Sequence, residues 1–348
     1  MSFRSYVAML LAAFISLTAI NQLYVRAARL SCWAGGYAHD AWMAYCNSER
    51  YGVYDVDAVW FRSEPDVSAA VDKAQVLTLS DSHLQNALSL GGASEWFSSR
   101  HLNAYFLGLP TAESGFGELL WEKYRPHPQV LIFDASPYFT GGLGEFESSL
   151  IEDSKSRQTQ LLELKQFQHY HRDFCTRLPL LCGQNFAYFK SRTDGHWVFP
   201  DPDARPLLGR DSVPNDRTQI RIEPTPDELV PLYPHYLKEA ESLISKIDIP
   251  RHCIVITHVP GPDSMPGLAQ FLSRPLGVTV IDPKVSAMAT FDGAHLTPSS
   301  SRQWTQSFLR ELEPVLKSCI TNAHATPTTL SARVALVKPD EVAKSNRK

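Results

Sequence analysis

Ala74-Gln75-Val76-Leu77-Thr78-Leu79-Ser80-Asp81-Ser82-His83 changes character within a single short stretch. An apolar run of strand-forming residues breaks into four small or polar ones, and Leu84 to Leu90 then reads as the start of a helix. The stretch is a strand-to-helix turn that carries a serine. In parallel α/β sheets such turns lie at the carboxyl ends of strands, where ligands bind, so the Ser82 hydroxyl is expected on a rigid, accessible support.

The same alternation continues downstream. Leu102 to Gly108 reads as a strand ending at glycine, Thr111 to Tyr124 as a helix with Phe116, Leu119, Leu120 and Tyr124 on one face, and Gln129 to Phe133 as a third strand. That strand runs into Asp134-Ala135-Ser136-Pro137. Residues 145 to 189 are helical in composition. From Lys190 to Pro231 seven prolines interrupt every pattern, and a segment of that length inside a compact domain suits a flap over a site. Solvated irregular surface is the alternative for this segment, and His196 of the Asp194-Gly195-His196-Trp197 stretch within it is not expected to touch substrate. Tyr236 to Ile247 forms a helical apolar stripe, His252 to His258 and Gly277 to Asp282 are strands, and Trp304, Phe308, Leu312 and Val315 mark a closing helix. Strands alternating with helices predict an α/β fold, a parallel sheet with helices on its faces.

The chain has 348 residues, 44% hydrophobic and 20% charged, enough to bury one large core. A net charge of -4 with no basic stripe gives no sign of a nucleic-acid partner. After Arg4 the chain is uncharged from Ser5 to Val25, the length a membrane span needs. An uncleaved anchor and a signal peptide cut after Ala19 or Ala27 both fit. Arg4 on one side and Arg26 and Arg29 on the other leave the orientation open. All six cysteines, Cys32, Cys46, Cys175, Cys182, Cys253 and Cys319, follow this segment, as in an exported domain with disulfides. Cys32 with Cys46 and Cys175 with Cys182 are close enough to close small loops. With no Cys-x-x-Cys pair and no histidines at ligand spacing, a zinc site is not expected. The chain thus divides into a membrane anchor or signal segment at 1–30, an aromatic approach segment at 31–73, the α/β domain at 74–320 with its Pro-rich insertion at 190–231, and a polar tail at 321–348 expected to be disordered.

Ser82 needs a base, because a serine hydroxyl is a weak nucleophile until its proton is taken. Phe291-Asp292-Gly293-Ala294-His295-Leu296-Thr297 supplies one just before the last helix. His295 can accept the proton and Asp292, three residues away, can orient it. The amides of Ser82 and Gly108, both following strand ends, are candidates to hold a developing oxyanion. Each residue also has an ordinary reading: Asp81 as a helix N-cap, Ser82 as a turn serine, Asp292 and His295 as decoration of the last helix. Strand-Asp-x-His also opens the metallophosphoesterase pattern, but the Gly-Asp-x-x-Asp and Gly-Asn-His segments of that family are absent from the sequence.

Ser80-Asp81-Ser82-His83, Gly108 after a strand, and Asp292-x-x-His295 before the last helix resemble blocks I, II and V of the SGNH (GDSL-like) esterase and acyltransferase superfamily, in order, over about residues 74–318. The resemblance implies a three-layer α/β/α domain with a central parallel sheet, preceded here by one hydrophobic helix. It implies Ser82 as nucleophile, His295 as base, Asp292 as third triad member and Gly108 as an oxyanion donor beside the Ser82 amide. Two positions depart from the pattern. The block I glycine is Ser80, and the block III asparagine falls at Asp134-Ala135-Ser136-Pro137, where the Ser136 hydroxyl could donate and an ionised Asp134 would repel. A membrane-anchored domain of this kind resembles proteins that acetylate or deacetylate bacterial surface polysaccharides. The expectation is an acyl-ester hydrolase or O-acetyltransferase on an extracytoplasmic polysaccharide, held at the bacterial inner membrane and facing the periplasm. No metal or organic cofactor is implied; a multi-span acyl-donor membrane protein is a candidate partner, and its presence would favour transfer over hydrolysis. A non-catalytic module that binds glycan or scaffolds such a complex is the alternative.

Overall fold

The computed structural model describes residues 2–27, 41–45, 59–60, 62, 64–109, 113–135, 138–143, 148, 155, 159, 188–199, 214–222, 227–261, 264–265 and 267–324. Helix α1 (Phe3–Ala27), strand β1 (Trp42–Tyr45) and helix α2 (Pro65–Asp72) lead to β2 (Val76–Asp81). Then come α3 (Ser82–Leu90), α4 (Ala93–Ser98), β3 (Ala104–Leu109), α5 (Ser114–Tyr124) and β4 (Val130–Asp134). The Pro-rich region contributes β5 (Tyr188–Ser191), β6 (Trp197–Val198) and β7 (Ile220–Arg221). The chain continues with α6 (Tyr233–Ser245), β8 (Ile254–Thr257), α7 (Leu268–Leu276), β9 (Thr279–Ile281), β10 (Ala289–Thr290) and α8 (Pro298–His324).

Five strands form one parallel sheet in the order β3-β2-β4-β8-β9. Every residue of β2 and β4 is buried, which is why both read as near-continuous apolar runs: a parallel strand covered on both faces has no polar side to show. From β2 the chain steps outward to β3 on one side, then returns to lay β4, β8 and β9 on the other. The reversal occurs at β2, and in open α/β sheets the crevice for ligands lies outside the carboxyl ends of the strands at such a point. Ser82 is the first residue beyond β2.

Helix α8 packs against α3, where the Thr305 hydroxyl donates to the Ala87 carbonyl at 2.8 Å, and its Trp304 and Phe308 rings stack at 5.1 Å. A Cys253–Cys319 disulfide ties the turn before β8 to the far part of α8. The approach segment joins the core: Val59, Trp60, Val67 and Val71 are buried, and Trp60 meets Phe116 and Tyr124. A small antiparallel sheet, β1-β5-β6, lies beside β3, whose Phe106 amide donates to the Asp194 carbonyl at 2.8 Å. This blunts the sheet edge, which would otherwise present unpaired amides.

From Phe3 to Ile20 helix α1 is exposed, and it is long and apolar enough to cross a membrane or to be a signal sequence. Helix α8 runs to His324, four residues past the expected domain end. The tail beyond it and Cys32, Cys46, Cys175 and Cys182 lie outside the described residues, as does most of the stretch 145–189 expected to be helical; residues 148, 155 and 159 within it are helical, whereas Tyr188 and Phe189 are a correction, since their antiparallel pairing with β1 makes them strand.

Candidate active site

Ser82 opens α3, and Asp81 caps that helix: its Oδ1 accepts from the His83 amide at 2.9 Å. The ordinary reading of Asp81 thus holds, and it fixes the backbone at the serine. The partner loop between β10 and α8 is closed on itself. Thr290 bridges to Leu296, the Phe291 amide donates to the His295 carbonyl, and Gly293 turns the chain at φ +89°, a left-handed conformation that glycine adopts without a steric penalty. Asp292 Oδ1 accepts from the amides of Ala294 and His295 at 3.0 and 2.8 Å. Thr297 then caps α8 by accepting from the Ser300 amide.

The loop places His295 between its two partners. His295 Nδ1 lies 2.7 Å from Asp292 Oδ2, and Nε2 lies 2.9 Å from Ser82 Oγ. A carboxylate only accepts, so Nδ1 carries the hydrogen and Nε2 is left to accept from the serine hydroxyl. Burial works to raise the Asp292 pKa, but the hydrogen bond and charge of His295 and the two loop amides outweigh it and hold the carboxyl below its ordinary value. Ser82, His295 and Asp292, singled out from sequence, are therefore brought together in one hydrogen-bonded line. Compared with known proteins, the chain matches no family model, no curated protein and no solved structure.

The arrangement can pass the Ser82 proton to His295 while Asp292 steadies the resulting imidazolium, the requirement for a serine nucleophile. The oxyanion side differs from expectation. Gly108 is a correction: its amide donates to Gln85 Oε1 at 2.9 Å, deep in the protein. Consecutive amides of a strand point to opposite edges, so those of residues two apart share an edge; the Phe106 amide faces the β5–β6 turn, and Gly108 therefore faces that way too, away from β2. Glycine is needed there for close approach, since a Cβ at 108 would fall 2.4 Å from that of Gln85. Ser136 lies outside the described residues. Asp134 is fully buried at the end of β4, where its Oδ1 accepts from the Val259 amide at 3.3 Å.

The Pro-rich region divides. Residues 191–197 sit at the β3 edge, where the Asp194 carboxylate takes the Ser94 hydroxyl and His196 Nδ1, and Gly195 accepts from Gln85. His196, within it, packs edge-on to Trp42. Residues 214–221 do border the site: β7 pairs with β10, Ile220 lies beside Gly293, and Asp216 accepts from the Ser299 amide at 2.8 Å, adding a carboxylate to the start of α8. A cavity of about 580 Å³ opens elsewhere, between α2, α4 and the amino end of β3, and contains no member of the Ser82 line. Chemistry, not cavity size, locates the site. His252 lies against Cys253 and Cys319, but those sulfurs are joined to each other and offer no thiolate to a metal. Gln85 and Asp216 are neighbours of the site that sequence reasoning does not single out. A glutamine on the inner face of a core helix was the available signal for Gln85.

Proposed function

We propose that the chain is a serine acyl-transfer enzyme of the SGNH type, an acyl-ester hydrolase or O-acetyltransferase acting on an extracytoplasmic polysaccharide. The observation that carries this is the unbroken line Ser82 Oγ to His295 Nε2 and His295 Nδ1 to Asp292, assembled across 213 residues at the carboxyl end of β2. In this mechanism Ser82 Oγ attacks the ester carbonyl as its proton passes to Nε2. Collapse of the tetrahedral intermediate expels the alkoxide, which takes that proton, and leaves an acyl-serine. Water or a sugar hydroxyl then loses its proton to His295 and attacks the acyl carbon, and collapse breaks the bond to Ser82 Oγ, which takes the proton back from His295 as the acyl product leaves. The amino end of α3 lies at the developing oxyanion and favours negative charge there.

The three-layer SGNH arrangement belongs to this proposal, as does placement outside the cytoplasm with α1 as anchor. The Cys253–Cys319 disulfide supports an oxidising compartment. The metallophosphoesterase alternative loses ground because both oxygens of Asp81 are engaged by His83, through its amide and its Nδ1. A non-catalytic glycan-binding or scaffold module is favoured by one observation, that Gly108 gives its amide to Gln85.

An alkyl fluorophosphonate probe, with an acetyl ester in parallel, separates the two. The enzyme reading expects labelling of Ser82 and ester turnover, both absent in Ser82→Ala. A folded wild type that shows neither would overturn it in favour of the scaffold. Release of acetate from an acetylated glycan, against acetyl gain by the bare glycan with a membrane-borne donor, distinguishes hydrolase from transferase.

A further inference from the structure

A second aspartate–histidine pair stands beside the first. His83 Nδ1 lies 2.8 Å from Asp81 Oδ2, and the His83 ring lies 5.3 Å from the His295 ring at an interplanar angle of 31°. Asp81 is almost fully buried and grips His83 twice, taking the ring hydrogen on one oxygen and the backbone amide on the other. The ring hydrogen bond opposes rotation of the His83 ring, and the amide bond holds the carboxylate that makes it. The other His–Asp contacts among the described residues are at different places, His196 with Asp194 on the β3 edge and His258 with Asp282 beyond β8 and β9.

The setting of His83 matters more than its chemistry. It follows Ser82 on α3, whereas His295 belongs to the loop before α8, so the ring contact joins the two elements that must meet for the Ser82–His295 hydrogen bond to form. Phe291 also lies nearly parallel to His295, at 6.0 Å, but it is carried by the same loop and cannot set that loop's distance from Ser82. The segment after β8 closes on this junction: a Cβ at Gly261 would fall 3.5 Å from His83 Cδ2 and 3.3 Å from the Ala294 carbonyl. When His295 gains a proton, the same ring contact keeps the imidazolium against α3 and beside Ser82.

We propose that His83 is a positioning residue: its ring face, aimed by Asp81, holds the His295 imidazole at hydrogen-bonding distance from Ser82 and supports the imidazolium. This rests on the serine-enzyme reading. Two substitutions separate the face from the hydrogen bond. His83→Phe keeps a ring but cannot donate to Asp81; His83→Asn keeps a donor near the position of Nδ1 but has no ring.

The test is the rate at which an alkyl fluorophosphonate labels Ser82 in the full-length, detergent-solubilised protein, with saturation rate and half-saturation concentration resolved. The expected result is a maximal rate about tenfold lower in His83→Asn, with half-saturation unchanged, and within about twofold of wild type in His83→Phe. Thermal melts of both variants accompany the labelling. An unchanged rate in His83→Asn overturns the proposal. So does an equal loss in both variants, which would show that the ring hydrogen and not the face matters, and a melt that drops only for His83→Asn in parallel with its rate, which would make the effect structural. A wild type that never labels instead defeats the enzyme reading, so the two failures are distinguishable.

Discussion

Ser82 and His295 stand 213 residues apart in the chain and 2.9 Å apart in space, so removing either should break one unit rather than two contributions. Under the proposed function, His295→Ala should lower acyl-ester turnover by about 10²–10⁴-fold and Ser82→Ala by at least as much, with the double variant little worse than either. Asp292→Asn should lose less, because the loop amides that hold Asp292 still meet its Oδ1. Steady-state kinetics on an acetyl ester, with circular dichroism to confirm folding, checks this, and multiplicative losses in the double variant would refute the unit. Gly108 calls for the opposite experiment. Gly108→Ala keeps the amide and adds a methyl that must displace Gln85, so it should lower stability by about 1–3 kcal/mol in urea titration. A neutral result would mean that the α3–β3 approach is looser than it stands here. The triad was legible because its residue types are rare in combination and sit at element ends. The Gly108 role was not, because which edge of a strand an amide faces depends on the strand's neighbours and leaves no trace in local sequence.

At the scale of elements, legibility follows locality. The strand and helix across residues 76–90 are written in a buried apolar run followed by a capping aspartate, and the helices α5, α6 and α8 in apolar stripes. The two-residue strands β6, β7 and β10 are fixed by distant partners and by the Gly195 and Gly293 turns, so no local pattern announces them. The β5–β6 turn has an electrostatic lock that can be measured. Burial works to raise the Asp194 pKa, yet the hydrogen bond and charge of His196, with Ser191 and Ser94, bring it down to about 2. A carboxyl depressed in the folded state stabilises above its unfolded value near 4, and that stabilisation is lost as pH falls from about 4 through about 2. The difference is on the order of 2 kcal/mol. Urea midpoints of the wild type and Asp194→Asn should therefore lie well apart at pH 6 and converge near pH 2. A constant separation across that range would show that the pairing with His196 contributes nothing to folding.

For the whole molecule, the disulfide and the apolar helix bear on the same question of compartment. Cys253 precedes β8 at one side of the sheet and Cys319 lies in the last turns of α8, 66 residues later, so the bond clamps the closing helix over the core that includes Trp304 and Phe308. The other end of α8 begins directly after the His295 loop and is capped by Thr297, whose hydroxyl donates to Ser300 Oγ and accepts from the Ser300 amide. By chain entropy alone, a closed loop of that size stabilises by about 4 kcal/mol. Cys253→Ala with Cys319→Ala should lower the urea-derived stability by about 2–4 kcal/mol and leave the fold intact at low temperature. In protein recovered with its membrane fraction and alkylated without reduction, mass spectrometry should find the Cys253 and Cys319 peptides joined. Finding both thiols alkylated in such protein, with stability unchanged in the double variant, would remove the oxidising-compartment argument. The location of the domain would then rest on α1 alone, which serves equally as an anchor or as a signal sequence.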